Sequence, residues 1–169
     1  MSTSLIADEF TSTCANPLDL AEDLAAANDW TYDRGDDEVI VALDGGYCDY
    51  QLRLHWRETD RLLQVACMFD SRVPDARRGA VFETLARLNE RLCLGHFEMW
   101  CDEGFLMYRH AFLAEPDGSG LSGEGLARLV ETAIGECDSY YPVFQFVIWG
   151  GKTPREAIDA AMLDTLGEA

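Results

Sequence analysis

The sequence has almost no lysine, no cysteines spaced as C-x-x-C, no long apolar run and no glycine-rich phosphate loop. Each lack removes a class of function. Lys152 is the only lysine, and 13 basic residues stand against 31 acidic ones, a formal charge of −18. A field of that sign repels phosphate backbones and anionic lipid headgroups, so neither nucleic acid nor a membrane surface is an expected partner. Basic or cationic partners are favoured instead. Nowhere do about eighteen apolar residues follow one another, which excludes a membrane-spanning helix. The six cysteines (Cys14, Cys48, Cys67, Cys93, Cys101 and Cys137) are far apart, which suits neither a zinc knuckle nor a dithiol redox motif. Several fall in apolar patterns, where a thiol behaves as a small hydrophobe, and reduced buried cysteines imply a cytoplasmic protein. Residues 1–15 lack a basic start, and Leu5-Ile6-Ala7 is too short for a signal core, so this stretch reads as a flexible leader.

Gly151-Lys152-Thr153 follows an apolar run and precedes a helix, the setting of a nucleotide-binding loop. That loop needs a further glycine five positions before Gly151, because its backbone must curl amides round the phosphates. Phe146 stands there, and Pro154 removes another amide donor. The phosphate reading therefore fails.

What is present is a chain that is 48% apolar, long enough for one domain over residues 16–169 with a core of its own. Asn16-Pro17 opens a first helix as N-cap and first-turn proline, with Leu20 and Leu24 as its stripe up to about Asn28. Three strands are expected next. The first spans Glu38 to Leu43 and ends at Asp44-Gly45-Gly46. The second, Tyr50 to Arg57, alternates Tyr50, Leu52, Leu54 and Trp56 against Gln51, Arg53, His55 and Arg57. The third places Leu63, Val65, Cys67 and Phe69 on one face. From Pro74-Asp75, Val81, Leu85, Leu88 and Leu92 recur at helical spacing, with Phe82 and Cys93 widening the stripe and Gly95 as the stop. Phe97 to Cys101 and Phe105 to Leu113 form a hairpin about Asp102-Glu103-Gly104.

After the loop Pro116 to Gly125 a long helix carries Leu126, Val130, Ala133 and Cys137. At Pro142 it either kinks or gives way to a strand; the kinked helix is the favoured reading. Thr153 and Glu156 make a capping box for a last helix showing Ile158, Ala161, Met162 and Leu166. The order α-β-β-β-α-β-β-α plus a C-terminal helix describes an α+β domain, an antiparallel five-stranded sheet with helices packed on one face.

Several residues are candidates for chemistry. His55, His96 and His110 with Cys67 or Cys101 match no standard metal site, so no metal or cofactor is expected; His96 is expected to close a helix terminus and His110 to make a structural hydrogen bond. Arg109 lies among apolar strand residues, and Glu98 on the preceding strand is its expected partner. The aromatic cluster with its aliphatic neighbours (Tyr140, Tyr141, Phe144, Val147, Ile148, Trp149) exceeds what one helix buries against one sheet, and marks an expected partner or dimer surface, with packing in the chain's own core as the equal alternative. The stripe of Val81, Leu85 and Leu88 is a second choice for it.

Asn89-Glu90-Arg91-Leu92-Cys93-Leu94-Gly95-His96-Phe97-Glu98, Tyr108-Arg109-His110, Glu136-Cys137-Asp138, Trp149-Gly150-Gly151-Lys152 and the ending Ala160 to Ala169 resemble the YbjN family of bacterial sensory transduction regulators. The resemblance covers roughly the C-terminal half; the N-terminal third resembles the family only in its order of elements. It implies a fold similar to that of type III secretion chaperones, which are small, acidic, dimeric and bind other polypeptides, and it brings no catalytic residues. The expected function is a non-enzymatic protein-binding module, chaperone-like or regulatory, that forms a homodimer and holds an unidentified polypeptide. The alternative is a small-molecule sensor or enzyme with a pocket around Arg109, His110 and Lys152.

Overall fold

In the computed structural model residues 16–115 and 120–166 are described, with side chains as far as Ala161. The leader over 1–15 and the side chains of Met162 and Leu166 lie outside the described residues. Ten elements follow one another. These are α1 (Pro17–Ala27), β1 (Thr31–Arg34), β2 (Glu38–Asp44), β3 (Asp49–Arg57), β4 (Leu62–Arg72), α2 (Asp75–Asn89), β5 (His96–Met99), β6 (Phe105–Leu113), α3 (Gly123–Ile148) and α4 (Pro154–Leu166). The strands form one six-stranded sheet in the order β1-β2-β3-β4-β6-β5, every neighbouring pair antiparallel.

The sheet has six strands where the sequence predicts five. The additional strand, β1, is an edge strand whose positions are exposed or half-buried, so no apolar alternation announces it. Its register comes from the β1–β2 turn, where Gly35 N–H donates to the Glu38 carbonyl at 2.8 Å. Arg34 then anchors it to α1, at 3.1 Å from Glu22 and 3.3 Å from Asp19.

Helices form where caps and apolar spacing agree. The Leu18 amide donates to Asn16 Oδ1 at 3.0 Å at the start of α1. α3 starts on Ser122, whose Oγ accepts from Gly125 N–H at 3.0 Å, and continues through Pro142 as one helix, with no strand after the proline. The β-forming residues after Pro142 stay helical because Val143, Phe144, Val147 and Ile148 face the core and tertiary burial outweighs propensity. α2 ends at Asn89 rather than at Gly95. The Asn89 amide turns onto the edge strand instead, accepting from Phe97 N–H at 2.8 Å and donating to the Phe97 carbonyl at 3.0 Å. Phe82 and Cys93, expected on the buried stripe, are exposed. Gly95 is still required: at φ +63° a Cβ there would meet the Tyr108 hydroxyl at 2.3 Å.

The core lies on one side of the sheet. α1 packs on β1, β2 and β3, α3 on β4 and β6, and α2 on β5, while α4 packs on α3 and α2. Val39, Val41, Leu52, Leu54, Leu63 and Val65 point into that layer and are at most 2% exposed. Among the described residues, no helix packs on the opposite face of the sheet.

Candidate interaction surface

Strand alternation assigns the open face its residues, and the register aligns them across the sheet. One row runs Asp33, Ile40, Arg53, Ala66, Arg109, His96. Ala66, small and central, floors a hollow of about 230 Å³ whose walls include Met68, Met107, Trp100, Arg53 and Arg109. The charges here are arranged in pairs. Arg53 lies 2.6 Å from Glu38, His55 3.3 Å from Asp37, and Arg109 is bonded to Glu98. At one end, Arg72 sits over the Phe105 ring at 4.4 Å, and Trp100 meets that ring edge-on at 6.1 Å. The register places four arginines (Arg53, Arg57, Arg72, Arg109) and five carboxylates (Asp33, Glu38, Asp44, Asp49, Glu98) on this face, and Asp37 beside His55 adds a sixth, net −2. The chain carries −18, so nearly all the acid excess lies elsewhere.

The expected Arg109–Glu98 pair is formed, and Arg109 Nε is buried with no hydrogen-bond partner. His96 lies on β5, 3.3 Å from Glu98, and closes no helix. Burial, followed by the Arg109 charge, holds the His96 imidazole below its ordinary pKa. His110 is also lowered, first by burial and then by His96. Arg109 and His110 project to opposite faces of β6, yet both line a depression of about 410 Å³ at the sheet edge, with Gln64, His96 and Glu98. Lys152 is 5.4 Å above the Phe146 ring, on the helical side. Two of the three residues of the expected small-molecule pocket, Arg109 and His110, thus share one depression, while Lys152 lies apart from it. Among the described residues no three His, Cys, Asp or Glu side chains are grouped to hold a metal ion.

The helix surface expected to bind a partner is, for the most part, not a surface. Phe144 and Val147 are at most 1% exposed and Ile148 is 6% exposed, all within the chain's own core. Phe144 packs on Phe97 at 5.3 Å and on Phe69 at 5.7 Å. Tyr140 meets Phe97 edge-on at 5.7 Å, and Tyr141 stacks on Tyr47 at 5.4 Å. Only Trp149, 62% exposed, remains outside. The physical reason is that α3 is met by the sheet and by α1, α2 and α4, so an apolar circumference needs no second subunit. Val81, Leu85 and Leu88, the second choice, are buried as well.

A contact with no sequence signature fixes the β2–β3 hairpin to α3. Asp138 accepts from the Tyr50 hydroxyl at 2.7 Å and from Gly46 N–H at 2.8 Å. A Cβ at Gly46 would sit 3.1 Å from that carboxylate. Burial, then this bond, raises the Tyr50 pKa far beyond its ordinary value. Neutral Tyr50 is therefore a permanent donor. Tyr108, buried and donating to the Leu94 carbonyl at 2.7 Å, is pushed up to about 12.

The Gly150-Gly151-Lys152-Thr153 turn is a helix junction. Gly150 N–H donates to Gln145 at 3.0 Å and Lys152 N–H to Phe146 at 3.1 Å, so those amides finish α3. Glu156 accepts from Thr153 N–H at 3.0 Å, closing the expected capping box on α4. Cys67 and Cys137 are buried; the Cys137 thiol, raised by burial, contacts the Cys67 carbonyl at 3.8 Å. Cys101 is exposed, and so is Cys93, contrary to its expected place on the buried stripe. Among the described residues no helix is long and apolar enough to cross a membrane.

These features define an α+β protein with an open antiparallel sheet, four helices and one bare sheet face. The chain belongs to the YbjN family, whose profile matches residues 17–146 and is described as "putative bacterial sensory transduction regulator". The match includes the N-terminal third, where the sequence resemblance is weakest, and stops short of Trp149 and of the C-terminal ending. No curated protein matches the chain. The crystal structure of YbjN from E. coli, titled a "putative transcription regulator", is similar in fold. Its TM-score is 0.53 at 13% identity, covering 77% of this chain and 97% of that one. The family description supports a regulatory, non-enzymatic role.

Proposed function

We propose that this chain is a non-catalytic regulator that acts as a homodimer and binds another polypeptide through its acidic shell. The single observation behind this reading is the uneven charge. A face of net −2 sits on a chain of −18, so the remaining surface projects a strong negative field. Such a field steers basic partners and repels acidic ones. The small, acidic, dimeric character of the secretion chaperones whose fold the family resembles points the same way. The partner is a basic, apolar-containing polypeptide segment rather than a small molecule, because Lys152 stands apart from the depression that Arg109 and His110 line.

Fluorescence titration of the purified chain with basic, neutral and acidic amphipathic peptides of equal length tests this reading. Saturable binding of the basic peptide alone is expected, weakening as salt shortens the screening length from about 10 Å at 0.1 M to about 3 Å at 1 M. Equal binding of all three, or binding indifferent to salt, overturns it.

A further inference from the structure

We infer that the bare face of the sheet seats a second copy of this chain, the two sheets packed face to face about a two-fold axis. This rests on the homodimer reading above and assigns it a surface. The first support is charge. Two copies of a −18 chain repel each other over most of their surface, and the open face, with four arginines and six carboxylates, is where that repulsion is much reduced. The arginines stand beside carboxylates on the same face, so an antiparallel copy offers each pair an opposite partner without a net cost in charge.

The second support is size. Five inter-strand gaps of about 4.8 Å give a width near 24 Å, and strands of seven to eleven residues run about 24 to 36 Å. That is on the order of 600–800 Å² in projection, comparable with the roughly 800 Å² per partner of a standard interface.

The third support is self-complementarity of shape. A two-fold interface must carry both a projection and a recess at separate places on one surface. Leu113, on the open face by its pairing with Leu62, is 70% exposed. The hollow over Ala66 lies further along the same sheet, between Arg53 and Arg109. Met68 and Met107 form its buried floor, and Trp100, 38% exposed, stands at its wall as the one aromatic anchor available to a partner. Each Leu113 can enter the other copy's hollow. The α3 cluster offers no rival surface, since Phe144 and Val147 are at most 1% exposed within one chain.

Sedimentation equilibrium from 1 to 100 µM on the native chain, Leu113→Asp, Ala66→Glu and the helix-side control Phe82→Asp tests this, with circular dichroism to confirm folding. The native chain is expected at twice the 18.9 kDa monomer mass, and Leu113→Asp and Ala66→Glu are expected to raise the dissociation constant at least roughly tenfold. Phe82→Asp is expected to leave it unchanged. Leu113→Asp decides alone if Ala66→Glu unfolds, because an exposed side chain is not needed for the fold. A native mass of 18.9 kDa at all concentrations overturns both the dimer and this face. A dimer that keeps its dissociation constant in the folded open-face variants overturns the face while the dimer reading stands. Equal weakening by Phe82→Asp also overturns the face.

Discussion

The helix-covered face and the bare face of this sheet are built from the same strands, residue by residue in alternation, yet their contacts are of opposite kinds. On β3, Leu52 and Leu54 lie at most 2% exposed beneath α1, while Arg53 between them reaches out to Glu38 at 2.6 Å. The covered face is apolar, continuous and satisfied by packing. The bare face is paired, nearly neutral and only partly filled, with a hollow over Ala66. Packed apolar area stabilises by about 25 cal/mol per Å², whereas half-exposed ion pairs contribute about 0–1 kcal/mol each. Stability is thus concentrated on one side, and the other is free to be shaped for recognition.

The largest expected effect comes from the covered side. Phe144→Ala removes a ring packed between Phe69 and Phe97 and should cost about 3–5 kcal/mol in urea unfolding. Gln51→Ala, exposed on the other face of β3, should stay within about 0.5 kcal/mol. Equal effects would break the division between the faces.

Next is the bond between Asp138 and the β2–β3 hairpin. Tyr50→Phe deletes a donor at 2.7 Å from a half-buried carboxylate. The expected loss is about 1.5–3 kcal/mol, the range for bonds to charged groups. A double-mutant cycle with Asp138→Asn should show coupling; additive losses would mean that the hairpin is held by Tyr50 packing alone.

Much of this architecture was legible before any coordinates. The alternation of β3 and the run Phe105 to Leu113 marked strands because one face of each is buried. The N-caps at Asn16 and Thr153 marked helix starts because capping is local chemistry. The six-stranded order was not legible, since β1 takes its stability from pairing with β2 and from Arg34 on α1. The partner surface was misread for a related reason. The apolar density of Val143 to Trp149 is real, but sequence alone does not show how many neighbours will cover a helix. That helices pack on one face alone was legible, but the arrangement of the other face was not, because its signature, paired opposite charges at alternate strand positions, is also that of any wet sheet face. Asp138 left no mark, since its partners lie 88 and 92 residues away.

A smaller effect is expected at the α3–α4 junction. Thr153→Ala removes the hydroxyl at 2.8 Å from Glu156 and the cap it provides, and should lower stability by about 1 kcal/mol. Thr153→Ser, which keeps the oxygen, should restore most of it. A loss unchanged by serine would show that the methyl group, rather than the cap, matters.

The smallest expected effect probes both faces at once. His96 points to the bare side of the sheet edge and His110 to the covered side, and both imidazoles have pKa values lowered below the ordinary 6.5. A base whose pKa is lower in the folded state binds fewer protons there than when unfolded, so stability falls as pH drops below about 6.5 and stops falling once the folded groups are also charged. Burial disfavours the charged form of each, with Arg109 adding to it at His96 and His96 adding to it at His110. Glu136, raised by burial, works in the opposite sense at lower pH, since its protonated form is the one the fold prefers. Urea midpoints from pH 7.5 to 5.5 should therefore decline in the native chain, and His96→Asn with His110→Asn should flatten that decline. His96→Asn alone should remove more than its own share, because it also relieves His110. If the double variant keeps the full decline, acid sensitivity in this range resides elsewhere, and the two faces are not coupled through this edge.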